Sequence, residues 1–291
     1  MKRIIISVFT LFTLLGCEKD IDFNLNETEP VLVVDGEIES GKMPRVVLTK
    51  SFDYYKQLSV AELLNAFVHD ASVTISNGQQ TVPCIEYAYE LFPGVSAYYY
   101  SPDTTLYYNF IGTEETTYQL NIELAGKSYT SVTKIPALVN YPDSVFFKQA
   151  PFNPDTTKRV MMVKISEEPG LGNYIRYYTK RNNEPFFPGF NSVFTDDIID
   201  GSTFVFQLEP GVNRNDFPEP GENFFRKGDT VTLKYANITK PTFEFWNTWE
   251  FAQQSIGNPF AQPNKVLGNI SNGALGAFCG YSTWYRTSIV D

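Results

Sequence analysis

Leu14-Leu15-Gly16-Cys17 sets a single thiol at the end of an apolar run, a placement that points to acyl transfer onto sulfur. Met1-Lys2-Arg3 supplies positive charge, and Ile4 to Leu15 is almost wholly apolar, the layout of a secretory signal. About a dozen apolar residues cannot cross about 30 Å of hydrocarbon, which takes ~20. Residues 1–16 therefore read as a signal peptide that is removed, and Leu14 to Cys17 resembles a bacterial lipobox. Cys17 becomes the mature N-terminus, its sulfur a thioether and acyl chains such as palmitate attached. Each buried methylene contributes about 0.8 kcal/mol, so two or three chains together anchor stably.

Glu18, Lys19, Asp20 and Asp22 follow the cysteine directly. Their lysine-and-acid pattern resembles the export signal that carries lipoproteins of the Bacteroidota to the outside of the outer membrane. The expected location is the outer membrane, lipid-anchored and facing the cell exterior.

Other reactive residues are sparse. His69 is the one histidine, and no G-x-S-x-G elbow accompanies it, so a serine triad has no frame. Zinc needs three or four His, Cys or carboxylate ligands, more than one histidine and two distant cysteines supply. Ser131-Val132-Thr133-Lys134 matches S-x-x-K by letters but lies in a strand pattern, where that mechanism wants a helix. Asp196-Asp197-Ile198-Ile199-Asp200-Gly201 reads as a solvated acidic turn rather than a calcium loop, since the terminal glutamate is missing. No phosphate-cradling G-x-x-x-x-G-K-[ST] occurs. Carboxylates are plentiful, but abundance places none in a catalytic pair. The expectation is no enzyme, no cofactor and no metal.

The formal charge is −10, and loss of Lys2 and Arg3 with the signal takes it to −12. Such a chain suits neither nucleic acid nor anionic headgroups, so the lipid alone must hold it to the membrane. Cys84 and Cys279 are expected as two buried free thiols. Four Asp-Ser/Thr tripeptides, with acceptors Thr104, Ser144, Thr156 and Thr230, resemble O-glycosylation sites.

The elements that position these residues read as mostly strands. Aromatics make up 15% of the chain and favour strands and interfaces. Residues 17–29 are polar and aperiodic, a lipidated tether. Val31–Ile38 and Arg45–Lys50 read as a hairpin, Val60–Phe67 as a short helix, and Ala71–Ile75 and Thr81–Tyr87 as strands joined at Asn77-Gly78. Thr117–Leu124 alternates cleanly and returns through Tyr129–Thr133. Lys134-Ile135-Pro136 closes a first unit, 30–137, expected to be an immunoglobulin- or transthyretin-like sandwich. The second unit, 138–291, is expected to pair strands Val160–Ile165 and Tyr174–Thr179 around a Pro-Gly-Leu-Gly-Asn turn. A long irregular insertion at 183–228 follows, then a strand at Thr230–Tyr235, one helix near 242–256 and a strand-like end. The predicted fold is mainly β, two sandwich-like domains.

Gly257-Asn258-Pro259-Phe260-Ala261, Asn269-Ile270-Ser271-Asn272-Gly273-Ala274-Leu275-Gly276-Ala277-Phe278, Pro30-Val31-Leu32-Val33-Val34-Asp35-Gly36 and Asp70-Ala71-Ser72-Val73-Thr74-Ile75 together resemble the Bacteroidota lipoproteins of domain of unknown function 4249. The resemblance implies a partner: an outer-membrane β-barrel like the TonB-dependent receptors, beside which such lipoproteins are encoded. It carries over no catalytic residue.

Aromatic clusters offer contact surfaces for that partner: Tyr98, Tyr99, Tyr100, Tyr107 and Tyr108 around a turn, and Phe186, Phe187, Phe190, Phe224 and Phe225 in the irregular region. The sequence thus implies a non-catalytic accessory subunit of such a barrel, in ligand uptake or in surface-protein assembly. The alternative is a stand-alone glycan- or peptide-binding lipoprotein.

Overall fold

A computed structural model describes residues 29–52, 59–166, 170, 172–196, 201–216, 223–256, 258 and 264–291. The signal peptide, Cys17 and the acidic residues Glu18, Lys19, Asp20 and Asp22 lie outside the described residues. The chain is mainly β, as its sequence implies.

Strands β1 (Leu32–Glu39) and β2 (Arg45–Lys50) form the first hairpin, followed by helix α1 (Val60–Leu64). Ser59 caps α1 through a reciprocal pair with Glu62. Strands β3 (Ser72–Ser76) and β4 (Thr81–Phe92) meet at Asn77-Gly78, where the Asn77 side chain accepts from the backbone of Gln79 and Gln80 and Gly78 takes φ +85°. Strand β5 (Val95–Pro102) returns along β4, and β6 (Thr117–Leu124) pairs with β7 (Lys127–Lys134) across Ala125-Gly126.

The second segment holds β8 (Ser144–Gln149), β9 (Lys158–Ser166), β10 (Tyr174–Arg181), β11 (Phe187–Thr195), β12 (Thr203–Leu208), β13 (Phe225–Arg226), β14 (Thr230–Ile238), helix α2 (Lys240–Gln254) and β15 (Leu275–Ile289). One sheet runs β11-β10-β14-β15-β1-β2-β5-β4-β3-β6-β7, and a smaller one joins β8, β12 and β13 to β9. The pivot is β15. It pairs antiparallel with β14 and parallel with β1, so one sheet continues through both segments.

Alternation decides which side each strand buries. Val34 and Ile38 of β1, Val46 and Leu48 of β2, Val73 and Ile75 of β3, and Tyr118, Leu120 and Ile122 of β6 share one core. Strands several places apart in the sheet order meet in that core, so the sheet curls back on itself in a sandwich-like unit. Farther along, Val231, Leu233 and Tyr235 of β14 face Met161, Val163 and Ile165 of β9 in the small sheet. Ala236 and Ile238 face the opposite way, toward Phe245 of α2.

Strands β9 and β10 do not pair with each other. Both edges of β10 are taken by β11 and β14, while β9 turns its apolar face across the inter-sheet core. The 183–228 stretch is not one irregular insertion, since it contributes β11, β12 and β13. Pro188 and Gly189 read as breakers, but β11 is an edge strand, where a missing N–H is tolerated. Gly189 is required there, because an added Cβ would lie 1.9 Å from the Tyr177 hydroxyl.

Both described cysteines are free, as expected, but only Cys279 on β15 is buried; Cys84 on β4 is half-buried. Burial pushes each thiol up to about 12, with minor further influences on Cys279 from Arg176 and Tyr281. At about pH 8 only about one thiol in ten thousand is then ionised, and the thiolate is the nucleophile. Neither cysteine is expected to react with iodoacetamide in the folded chain, and both should react in denaturant. Intact-mass labelling of the native protein checks this; rapid alkylation of either site would show an open, ionised thiol.

Candidate ligand-binding cleft

The strand β1 carries acids on alternate positions, Asp35, Glu37 and Glu39, while Val34 and Ile38 enter the core. Parallel pairing sets Asp35 beside Ala277, Glu37 beside Cys279 and Glu39 beside Tyr281. Through β15 and β14 the same face continues to Arg176 and Tyr178 of β10. Above this face lies α2, which begins at Lys240 with Pro241 in its first turn, where the absent N–H costs least. It contributes Phe245, Trp246 and Trp249, and the loops around 212–215 and 265–276 complete the walls of a cavity of about 1050 Å³.

Arg176 is buried and lines the cavity. Its Nε donates to Ser192 Oγ at 3.1 Å and its Nη1 to the Tyr281 hydroxyl at 3.3 Å. The guanidinium lies 3.3 Å from the centre of the Trp246 ring and 4.8 Å from that of Tyr178. Burial opposes its charge, but Tyr178, Tyr281 and Glu250 outweigh that and hold its pKa above the ordinary value. Trp246 is fixed in turn, its Nε1 donating to Tyr281 at 2.8 Å.

Glu250 of α2 is buried and ties the helix to β11. It accepts from the Ser192 backbone N–H at 2.9 Å and from its hydroxyl at 2.5 Å. Arg214 reaches the same carboxylate at 3.3 Å and stands 4.8 Å from the Trp249 ring. Its Nε is buried and has no hydrogen-bond partner among the described residues.

On the floor, the exposed Asp35 and Glu37 face the cavity. Partial desolvation by the surrounding protein raises the Asp35 carboxyl above its usual range and Glu37 raises it further, with Arg45 and Arg176 only partly opposing. Neither carboxylate forms a hydrogen bond or ion pair among the described residues.

The aromatics singled out from the sequence scatter. Tyr100 is core, its hydroxyl donating to the Val68 carbonyl at 2.9 Å, and Phe225 is fully buried in the second core. Neither ring reaches the surface. Tyr107 packs against the first core, while Tyr108 is 75% exposed. Tyr98 sits edge-on to His69, and Tyr99 stacks on Tyr87 with Arg45 beside it, on the same sheet face as Glu37. Phe186 packs on Tyr285, and Phe224 lies under Lys158. Phe187 lines the cleft, and Phe190 an adjoining cavity. The aromatic clusters of the sequence do not lead to the cleft's principal charged and indole groups. The signals available were the acids spaced two apart in β1 and the indoles of α2.

Among the other motifs, His69 is exposed and bonds Glu86 at 2.9 Å through Nδ1. Ser131 and Lys134, three apart on β7, point to opposite faces. Asp196 is not part of a solvated turn. It is buried and accepts from the backbone of Gly172 and Asn173 and from the Asn173 amide, which compensates its burial. Asp197 to Asp200 lie outside the described residues. Thr104, Ser144, Thr156 and Thr230 are all exposed. Among the described residues, no group of three or more His, Cys, Asp or Glu is placed to hold a metal, and no helix is long and apolar enough to cross a membrane.

A family model described as Domain of unknown function (DUF4249) matches residues 18–286. No curated protein matches the chain.

Proposed function

We propose, on the premise that the chain belongs to this DUF4249 family, that it is a non-catalytic binding lipoprotein. Its lipid at Cys17 holds it to the outer membrane of a bacterium of the Bacteroidota type, facing the exterior. There it serves as the accessory subunit of a TonB-dependent-receptor-like barrel and presents a ligand for uptake. The observation that carries this reading is the cleft between α2 and β1. Its volume is just above the roughly 300–1000 Å³ typical of small-molecule sites, and its lining mixes indole rings with charged groups.

Affinity capture of the tagged lipoprotein from detergent-solubilised outer membrane tests the role. The native chain is expected to recover a large β-barrel protein, and a Cys17→Ser chain, which cannot be acylated, is expected to leave the membrane fraction. Recovery of the native lipoprotein alone would overturn the accessory role. The same cleft also supports the second reading, a stand-alone glycan- or peptide-binding lipoprotein, which ligand binding without any captured barrel would favour.

A further inference from the structure

The charges of the cleft specify its ligand more narrowly. Asp35 and Glu37 stand two residues apart on one face of β1, so their carboxylates repel each other beside the cavity, and neither is neutralised by a hydrogen bond or ion pair among the described residues. Arg176, on β10 and lining the same cavity, has no carboxylate within 4.0 Å among the described residues. Its two described hydrogen bonds leave part of a five-donor guanidinium uncommitted. The same lining includes the apolar Trp249 and Val266 and the cations Lys265 and Arg214, the latter paired with Glu250.

A neutral sugar would form hydrogen bonds here but would leave the repulsion between the carboxylates in place while displacing the water that screens it. A ligand that carries both a cation and an anion on an apolar frame answers both sets of charge at once. We propose that the cleft binds a short zwitterionic peptide, its ammonium or guanidinium group against Asp35 and Glu37 and its carboxylate against Arg176. This rests on the cleft being a ligand site, as inferred above, and names the substrate class.

Calorimetry on the detergent-solubilised full chain tests it. The first probe is the pentapeptide Lys-Leu-Ala-Leu-Glu with free termini; the second is Gln-Leu-Ala-Leu-Gln with both termini capped; the third is maltohexaose. The free pentapeptide is expected to bind at least about tenfold tighter than either neutral probe, a difference of about 1.4 kcal/mol. The double change Asp35→Asn with Glu37→Gln should abolish that preference. Because it removes an unpaired, repelling pair, it should leave the melting temperature unchanged or raise it, which separates lost recognition from lost folding. Equal or tighter binding of the capped peptide or of maltohexaose overturns the proposal. So does the absence of pentapeptide binding by the folded chain, or a double variant that binds the pentapeptide as the native chain does. A barrel captured by a chain that ignores the pentapeptide would sink this inference and leave the accessory role standing; pentapeptide binding with no barrel would do the reverse.

Discussion

Replacing Lys234 by methionine is expected to destabilise the fold by about 3 kcal/mol, because it strips a buried carboxylate of its closest cation. Glu39 ends the acid row of β1, where its side chain is only 8% exposed. It accepts from Lys234 Nζ at 2.5 Å, from Thr283 Oγ1 at 3.0 Å and from the Tyr285 hydroxyl, and Lys42 pairs with it at 2.8 Å. Burial by itself would raise this carboxyl, but Lys234, with Lys42 and Tyr285 behind it, outweighs that and lowers it to about 2. Lys42 is largely exposed and remains in the variant, so the expected loss sits at the lower end of what breaking a buried pair costs.

The pH dependence follows in sign. A carboxyl whose pKa is lower folded than unfolded favours folding above its unfolded pKa, near 4.5, and that contribution disappears as pH falls through about 2. The whole contribution is on the order of 3 kcal/mol, the worth of lowering the carboxyl from near 4.5 to about 2. Denaturant titrations of native and Lys234→Met chains between about pH 7 and pH 2 should converge toward the acid end. Parallel curves with a constant gap would show that the stabilisation is not the ion pair's.

Gly276→Ala is the other large effect, expected to cost more than about 3 kcal/mol. Gly276 takes φ +92° opposite Val34 in the β1–β15 pairing, and an added Cβ would lie 1.9 Å from the Val34 carbonyl oxygen. That oxygen is backbone in a central strand, so it cannot swing aside as a flexible side chain would. Gly268 closes on the same spot from the other side, its own added Cβ falling 2.3 Å from the Gly276 carbonyl oxygen. Thermal unfolding checks the effect against Gly78→Ala as control. Gly78 has a similar φ of +85° but nothing within 4 Å of an added Cβ. Only backbone strain of about 1–2 kcal/mol is expected there. Equal losses at the two sites would mean that the β1–β15 contact is looser than described. Because Gly276 also lines the cleft, its variant should lose ligand binding along with stability.

Local rules carried much of the fold. The alternation of Thr117–Leu124 marks the buried face of β6, Asn77-Gly78 marks a hairpin, and Pro241 marks the start of α2. Each of these signals is complete within about a dozen residues, the range over which side-chain period and turn chemistry act. The sequence by itself determined a mainly β chain with one principal helix. It also determined Asp35 and Glu37 as acids placed to share one face of β1, without saying what that face would meet. The partner of that face was decided by tertiary structure: β15 lies some 240 residues away and pairs parallel with β1. Parallel pairing needs a long crossover and leaves no turn signature. The same distance effect sends Tyr100 and Phe225 into cores and brings Arg176, Trp246 and the β1 acids around one cavity. An aromatic or charged side chain carries the same letters whether it faces solvent, core or cleft, and only the packing of distant strands selects among them.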